Sequence, residues 1–239
     1  MNKITLDYES PLFEVNEEIK TLRTRLLFCG DDKKVILMTS SLPDEGKSTL
    51  SLDLAISLSK IQKKVLLLDL DLRKSVLLSK VEAGAVEKGM THFLSGQCAL
   101  SDIIFATNIP RFHMIFAGPS VENSTELLMT ERFEKVMNAL RSAYDYIIID
   151  SPPLGLIIDA TVIAQHCDGA VLVVEEGKVK YRLAQETIRK LKNSDCPILG
   201  GILSHASRRT RGKYYGKEYR YYKKYGYEKE EDGEVEDEE

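Results

Sequence analysis

Residues 35–49 read VILMTSSLPDEGKST and join a short apolar run to a Gly-Lys-Ser-Thr sequence. The apolar part, Val35–Met38, has the length of a buried strand, and the residues after Gly46 continue in a helical pattern. A strand, a loop and a helix in this order, with Gly-Lys-Ser-Thr at the junction, are typical of a phosphate-binding (Walker A) loop. The general pattern has glycine at the position of Ser41, so the chain departs from it there.

The chemistry of this loop predicts a site for a magnesium nucleotide. The N–H groups of such a loop and the positive end of the helix that follows it bind phosphate oxygens. In the general pattern the lysine, here Lys47, contacts the β- and γ-phosphates, and the serine, here Ser48, ligates Mg²⁺. We expect Thr49 to meet the α-phosphate. The predicted nucleotide-binding residues are Asp44, Glu45, Gly46, Lys47, Ser48 and Thr49.

Two further apolar runs end in aspartates. Residues 66–73 read LLLDLDLR, which places Asp69 and Asp71 two positions apart at the end of a predicted strand. Residues 147–153 read IIIDSPP, where Asp150 has the place of a Walker B carboxylate that organises Mg²⁺. Because the carboxyl ends of parallel strands face the ligand crevice, we expect these carboxylates beside the nucleotide. The pattern leaves open whether Asp69 and Asp71 hold the metal or accept a proton.

Strand-length apolar runs alternate with helical patterns up to about residue 205. The runs are continuous, as in strands that are buried on both faces of a parallel sheet. Helical spacing is present over Lys47–Lys60, Glu126–Arg141 and Lys178–Lys192, and we expect Asp159 to cap a further helix. The predicted fold is α/β, a P-loop NTPase-like, open, mainly parallel sheet flanked by helices. The predicted strands are Val35–Met38, Val65–Leu70, His113–Ala117, Tyr146–Ile149, Ala170–Val174 and Ile198–Leu203.

A leading helix is predicted over about residues 11–28, with Pro11 in its first turn. Glu17, Lys20 and Arg23 lie three positions apart and therefore share one face of this helix. Such a charged strip is either a solvated helix face or a contact surface.

The chain changes character from Ser207 onward. Residues 208–224 carry eight Lys or Arg and one acid, whereas residues 228–239 carry nine acids and one Lys. Large aliphatic residues almost vanish, so the segment cannot bury enough apolar surface to offset its ordering entropy. We predict one domain over residues 1–205 and a disordered tail over residues 206–239. Seven of the eleven tyrosines lie in this tail: Tyr214, Tyr215, Tyr219, Tyr221, Tyr222, Tyr225 and Tyr227.

Composition excludes several classes of protein. The 239 residues are 43% hydrophobic and 29% charged, with a net charge of −4, which gives no support for a nucleic-acid partner. No apolar run approaches the ~20 residues of a transmembrane helix, and the N-terminus lacks the apolar region of a signal peptide. The four cysteines lie far apart, which predicts reduced thiols. We therefore expect a cytoplasmic protein.

Four features occur together: the phosphate loop, Asp69-x-Asp71-x-Arg73, Asp150-x-Pro-Pro and the tyrosine-rich tail. In this combination the chain resembles the bacterial tyrosine kinases that control exopolysaccharide and capsule synthesis. The resemblance implies transfer of a phosphoryl group from ATP, with Mg²⁺, to tyrosine. Asp69 is the first choice for the group that accepts the tyrosine proton, whereas Arg73 either steadies a phosphate or a neighbouring subunit or pairs with an acid. The implied catalytic residues are Lys47, Asp69, Asp71 and Asp150, and the implied metal ligands are Ser48, Asp71 and Asp150.

The resemblance also implies an assembly. In that family the tail enters a neighbouring subunit's site, so the tail tyrosines are the expected acceptors within a ring-shaped homo-oligomer, with an octamer as one candidate size. The expected ring contacts include Glu17, Lys20 and Arg23. The expected partners are a membrane adaptor, which recruits the kinase to the inner face of the membrane, and a cognate tyrosine phosphatase.

Two departures from the family pattern lie at the expected nucleotide site. Asp44 replaces a glycine of the loop, which the loop would tolerate if Asp44 pointed outward with a negative φ. Ser204 stands at the end of the last predicted strand, where related ATPases often carry an asparagine near the base.

The main competing function is that of a partitioning or positioning ATPase, which acts as a nucleotide-gated switch without kinase activity. Those proteins carry a signature lysine where this chain has Leu42. The sequence is also compatible with a nucleotide-binding regulator without catalysis and with a basic tail that binds acidic polymers.

Overall fold

The computed structural model describes residues 2–81 and 86–206. All seven tail tyrosines lie outside the described residues, and so does the predicted tail apart from Ala206. The prediction of a disordered tail and of a domain boundary near residue 205 therefore stays a prediction. None of the helices in the described part of the chain combines the length and the apolar character that a bilayer-spanning segment needs.

Eight strands in the described residues form one sheet. They are β1 (Asn2–Lys3), β2 (Val35–Ser40), β3 (Val65–Asp69), β4 (Phe105–Ala106), β5 (Phe112–Ile115), β6 (Tyr146–Asp150), β7 (Gly169–Glu175) and β8 (Ile198–Ser204). Their order across the sheet is β1-β4-β5-β3-β6-β2-β7-β8. Neighbouring strands are parallel except β4 and β5, which confirms the predicted mainly parallel sheet.

Seven α-helices connect these strands within the described residues. They are α1 (Phe13–Leu27), α2 (Lys47–Lys60), α3 (Met90–Leu94), α4 (Ser124–Leu128), α5 (Glu131–Ala143), α6 (Asp159–Ala164) and α7 (Tyr181–Lys192). Short 3₁₀ turns are present at Leu77–Lys80 and Leu100–Asp102.

The helices cover both faces of the sheet, so the part of the chain that forms the sheet has three layers. Side chains alternate along β2, and Val35 and Leu37 therefore pack toward α3–α7, whereas Ile36 and Met38 pack toward α1 and α2. All four side chains are fully buried. This burial on both faces is the reason why the central strands read as continuous apolar runs.

Three local predictions were wrong. The pattern over Glu126–Arg141 is two helices, because Thr130 adopts an extended backbone and caps a new helix with its side chain. The leading helix begins at Phe13, so Pro11 lies before its first turn. Asp159 does not cap a helix, since it is the first residue of α6 and Ile158 has the cap position.

Replacing Thr130 by alanine should lower the free energy of unfolding by about 1 kcal/mol. The reason is that the Thr130 hydroxyl accepts a hydrogen bond from the N–H of Phe133, 3.3 Å away, at the start of α5. Urea unfolding of the two proteins measures the difference. Thr130→Ser keeps the acceptor and should stay close to the parent protein. An equal loss in both variants would show that the cap is not the cause.

Candidate functional site

The strand order brings the predicted site residues to one edge of the sheet. Strand β6 lies between β3 and β2, and the register sets Asp150 beside Asp69 on one side and beside Met38 on the other. The phosphate loop begins where β2 ends, so the loop and both carboxylates meet at the carboxyl ends of three adjacent strands. This is the crevice in which open α/β sheets bind ligands.

The phosphate loop contains two residues with left-handed backbone. Gly46 has a φ of 81° and Asp44 a φ of 58°, so Asp44 does not have the negative φ that was set as a condition for tolerating it. Asp44 is exposed, and its carbonyl oxygen accepts a hydrogen bond of 2.8 Å from the Lys178 ammonium group. Aspartate is among the non-glycine residues that adopt this conformation most readily, which is how the loop keeps its turn without the family's glycine.

Glu45 supports the loop from inside. It is fully buried, and its carboxylate accepts hydrogen bonds from the N–H of Leu42 at 2.6 Å and from the N–H of Glu175 at 3.0 Å. Ser204 donates its hydroxyl to the Glu45 carbonyl oxygen at 2.7 Å, so it contacts the loop backbone. The structure thus gives Glu45 and Ser204 a role in shaping the loop, which the sequence pattern did not indicate.

Lys47 is the centre of the charged site. Its ammonium group lies 2.8 Å from a carboxylate oxygen of Asp150 and 3.2 Å from the hydroxyl of Ser48. The side chains of Lys47 and Asp150 are 10% and 2% exposed, so this is a buried ion pair. Loss of either partner would leave an uncompensated buried charge, which is strongly destabilising.

Asp69 and Asp71 have different surroundings. Asp69 is buried, and its carboxylate accepts hydrogen bonds from the Ser75 hydroxyl and from the N–H of Asp71. Burial, followed by the neighbouring Asp150 carboxylate, raises the pKa of Asp69 to about 7. Burial also raises the pKa of Asp150, and the Lys47 ammonium opposes that rise. Asp69 is therefore poised to bind and release a proton near neutral pH.

Asp71 lines a pocket next to the charged site. The pocket has a volume of about 280 Å³ and an apolar part formed by Leu72 and Phe116. Asp71 itself accepts a hydrogen bond of 2.9 Å from the N–H of Lys74. The segment that begins with Asp71 thus forms one wall of a cavity that is large enough for a single aromatic side chain.

Arg73 pairs with an acid, which is one of the two roles expected for this residue. Its Nε atom lies 3.2 Å from a carboxylate oxygen of Asp159, which is fully buried. The sequence expectation for Asp159 was a local cap, whereas its partners lie 34 to 86 positions away in the chain. No local pattern signals contacts over such distances.

The charged strip of α1 divides into two parts. Glu17 and Lys20 form an ion pair of 2.6 Å on the exposed face of the helix. Arg23 instead donates to the carbonyl oxygen of Ser57 at 3.0 Å and to its hydroxyl at 3.2 Å, which ties α1 to α2. Glu17 and Lys20 therefore lie on open surface, and Arg23 contributes to the fold of the subunit.

The acidic residues do not form a complete metal cage. Within residues 2–81 and 86–206, no group of three or more His, Cys, Asp or Glu side chains is arranged to hold a metal ion. Mg²⁺ at nucleotide sites usually takes one or two carboxylates and completes its shell with water and phosphate oxygens. Ser48 and Asp150, next to the phosphate loop, fit that partial set of ligands.

The raised pKa of Asp69 predicts a pH dependence of stability. The folded protein binds the Asp69 proton more tightly than the unfolded chain, in which this pKa has its ordinary value of 3.8. Without nucleotide and metal, the free energy of unfolding should therefore fall as the pH rises from about 4 to about 7. Urea unfolding across this range measures the slope, and Asp69→Asn should remove this part of it. Asp195→Asn, on the exposed surface, is the control and should leave the slope unchanged.

Known proteins resemble this chain over most of its length. Residues 33–193 match the AAA domain family. Tyrosine-protein kinase CpsD of Streptococcus agalactiae is 40% identical over 208 residues, which cover 85% of this chain and 91% of that protein. Tyrosine-protein kinase YwqD of Bacillus subtilis is 31% identical over 207 residues, or 84% and 86% of the two chains.

Solved structures show the same fold. The kinase domain of Escherichia coli tyrosine kinase ETK is 27% identical with a TM-score of 0.77, over 84% of this chain and 82% of that chain. The septum site-determining protein MinD of Pyrococcus horikoshii, solved with Mg-ADP, is 25% identical with a TM-score of 0.62, over 74% and 72% of the chains. The chain therefore belongs to the bacterial tyrosine kinase family and is a protein-tyrosine kinase built on a P-loop AAA domain.

Proposed function

We propose that this kinase uses ATP and Mg²⁺ to phosphorylate its own C-terminal tyrosines, in trans between the subunits of an oligomer. The observation that carries the proposal is the meeting of Lys47, Asp150 and Asp69 beside the phosphate loop, with the pKa of Asp69 raised to about 7. A lysine, a metal-binding carboxylate and a proton acceptor are the groups that phosphoryl transfer to a hydroxyl requires.

Each group has a separate task. The N–H groups of residues 44–49 would bind the phosphates, and Lys47 would exchange its contact with Asp150 for the β- and γ-phosphates. Ser48 and Asp150, assisted by Asp71, would hold Mg²⁺, which supplies charge neutralisation when bound. Asp69 would accept the proton of the tyrosine hydroxyl. Because its pKa lies near neutral pH, Asp69 is partly ionised there and suits a general base.

The pocket beside Asp71 supports an aromatic acceptor. Leu72 and Phe116 provide apolar contact for a ring, and Asp71 brings the pocket next to the segment that carries the proposed base. The sequence provides several tyrosines that lie close to one another in the chain and could serve as acceptors. The proposed acceptors are Tyr214, Tyr215, Tyr219, Tyr221, Tyr222, Tyr225 and Tyr227.

The assembly and its setting are part of the proposal. We propose a ring-shaped homo-oligomer, a membrane adaptor that recruits the kinase to the inner face of the membrane, a cognate tyrosine phosphatase, and a role in capsule or exopolysaccharide synthesis. Leu12 and Phe13 at the start of α1 are 80% and 65% exposed, beside the exposed Glu17–Lys20 pair. Exposed apolar side chains together with a charged pair are suited to a subunit contact.

A positioning ATPase is the second candidate because of the likeness to MinD. The MinD structure contains Mg-ADP. A protein of this fold that is not named a kinase therefore binds a magnesium nucleotide. Leu42 in the place of the signature lysine disfavours this candidate. Kinase activity and nucleotide-gated switching are distinguished by whether phosphate remains on the protein.

Incubation with ATP and Mg²⁺ should add successive ~80 Da increments to the intact mass of the protein. If the kinase needs an adaptor fragment, that fragment is included in the incubation. Lys47→Met should abolish the additions, because it removes the charge that neutralises the phosphates. Intact-mass spectrometry measures the additions, and peptide mapping should place them between Tyr214 and Tyr227. A variant with all seven tail tyrosines changed to phenylalanine is the matched control. If the protein hydrolyses ATP without any gain in mass while the adaptor is present, the proposed autophosphorylation is wrong and the positioning ATPase becomes the favoured function.

Phosphorylation of the tail should weaken the proposed oligomer. Each phosphate adds about −1.5 to −2 charges near neutral pH, so several would reverse the charge of the basic segment over residues 208–224. Repulsion between tails should then lower the sedimentation coefficient of the phosphorylated protein. Equal sedimentation of the two forms would contradict this switch.

A further inference from the structure

Asp159 is a buried acid to which the proposed chemistry gives no task. It is fully buried at the first position of α6. One of its oxygens accepts from Arg73 Nε at 3.2 Å and from the Ser124 hydroxyl, and the second oxygen accepts from the Thr125 hydroxyl. A buried carboxylate with three donors from two separate segments of the chain holds those segments in fixed positions.

Arg73 links this carboxylate to the site. It follows Asp71 by two positions, and its own carbonyl oxygen accepts a hydrogen bond of 2.8 Å from the Ser120 hydroxyl. The carbonyl oxygen of Leu72 accepts from the N–H of Val121 at 3.1 Å. The segment that carries Asp71 is thus held by its backbone on one side and by the Arg73–Asp159 pair on the other.

The same acid is connected to the Walker B carboxylate. Residues 150–159 run from Asp150 directly to Asp159 and pass against the phosphate loop. There the N–H of Leu154 donates to the carbonyl oxygen of Ser40 at 2.9 Å. A side chain at Gly155 would collide with the carbonyl oxygen of Ser41. Asp159 therefore ends a tightly packed segment that begins at Asp150.

We propose that Asp159 is a positioning residue of the kinase, a statement that rests on the proposed function. Through Arg73 it sets the distance between the segment of Asp69 and Asp71 and the segment of Asp150. A carboxylate is required because it forms an ion pair with the Arg73 guanidinium, whereas a neutral amide would offer Arg73 a hydrogen bond without the opposite charge. The hydroxyls of Ser124 and Thr125, by contrast, can also bond to an amide.

Asp168 provides a matched control in the same chain. Its carboxylate pairs with Arg141 at 2.6 Å and accepts from the N–H groups of Lys34 and Val35 at 2.9 and 2.8 Å. This pair lies where β2 begins, whereas the phosphate loop lies where β2 ends. Asp168→Asn therefore removes a comparable acid–arginine pair at the opposite end of the sheet.

The test compares Asp159→Asn with Asp168→Asn in the full chain, with the adaptor fragment where the kinase requires one. Asp159→Asn should lower the phosphotransfer rate at saturating ATP by about 10- to 100-fold, because small misplacements of reacting groups have effects of this size. Its KM for ATP should stay within about twofold, since the loop that binds the phosphates is unchanged. Asp168→Asn should keep the rate per folded molecule, even where it melts at a lower temperature.

Hydrogen exchange gives a readout that does not need kinase activity. The N–H groups of residues 70–75 should exchange about tenfold faster in Asp159→Asn and should be unchanged in Asp168→Asn. If the parent protein transfers no phosphate, the proposed function fails, and the exchange result still decides whether Asp159 positions this segment.

Arg73→Gln tests the link between Arg73 and Asp159 from the other partner. The Arg73 side chain is 37% exposed, so the fold should tolerate this substitution. It should reproduce the loss of rate, and the double variant should be no worse than either single variant, because both act through one pair. An unchanged rate and unchanged exchange in Asp159→Asn would overturn the proposal. Equal losses in Asp168→Asn, or additive losses in the double variant, would also overturn it.

Discussion

The burial of Lys47 against Asp150 is the constraint on which the rest of the site depends. Removing this pair from water costs several kcal/mol for each ion, so it persists only because the surrounding sheet positions both partners closely. Asp69 stands next to Asp150 in the adjacent strand. Burial raises the pKa of both acids, and the Asp150 carboxylate adds to the rise at Asp69, whereas the Lys47 ammonium opposes the rise at Asp150. In the free protein burial favours the protonated form of Asp69, whereas a metal ion bound beside these acids would favour their ionised forms. Binding of a cation would therefore be accompanied by release of a proton from Asp69.

The central strands make that arrangement rigid. Strands β3, β6 and β2 are apolar on both faces and fully covered by helices, so shifting one strand would expose or overpack both layers. Asp69 and Asp150 are the last residues of β3 and β6, and the phosphate loop that leads to Lys47 begins directly after β2. Outside the strands, side-chain hydrogen bonds also fix the elements of the site. Glu45 holds the phosphate loop from inside, Arg23 ties α1 to α2, and Asp159 holds the segment of Asp71 through Arg73.

The sequence predicted what depends on local pattern. The bounds of α2, the six longer strands and the meeting of Asp69 with Asp150 follow from apolar runs, from the loop motif and from the rule that parallel strands end at one edge. The break between α4 and α5 was missed because apolar spacing continues across Thr130, whose cap outweighs it. Partners such as those of Glu45 and Asp159 were missed because they lie far away in the chain, where periodicity carries no information.

Asp44, in the place of the family's glycine, is a position where the backbone conformation could not be predicted from the sequence. From the sequence, the loop was expected to tolerate Asp44 if its side chain pointed outward and its φ was negative. The structure shows a left-handed backbone at this position, for which glycine is the usual residue and aspartate a tolerated one. The Asp44 side chain is exposed, its carbonyl oxygen is held by Lys178, and the charge of Glu45 is directed away from the loop surface into backbone hydrogen bonds. Aspartate at this position therefore adopts the left-handed backbone for which glycine is the usual residue.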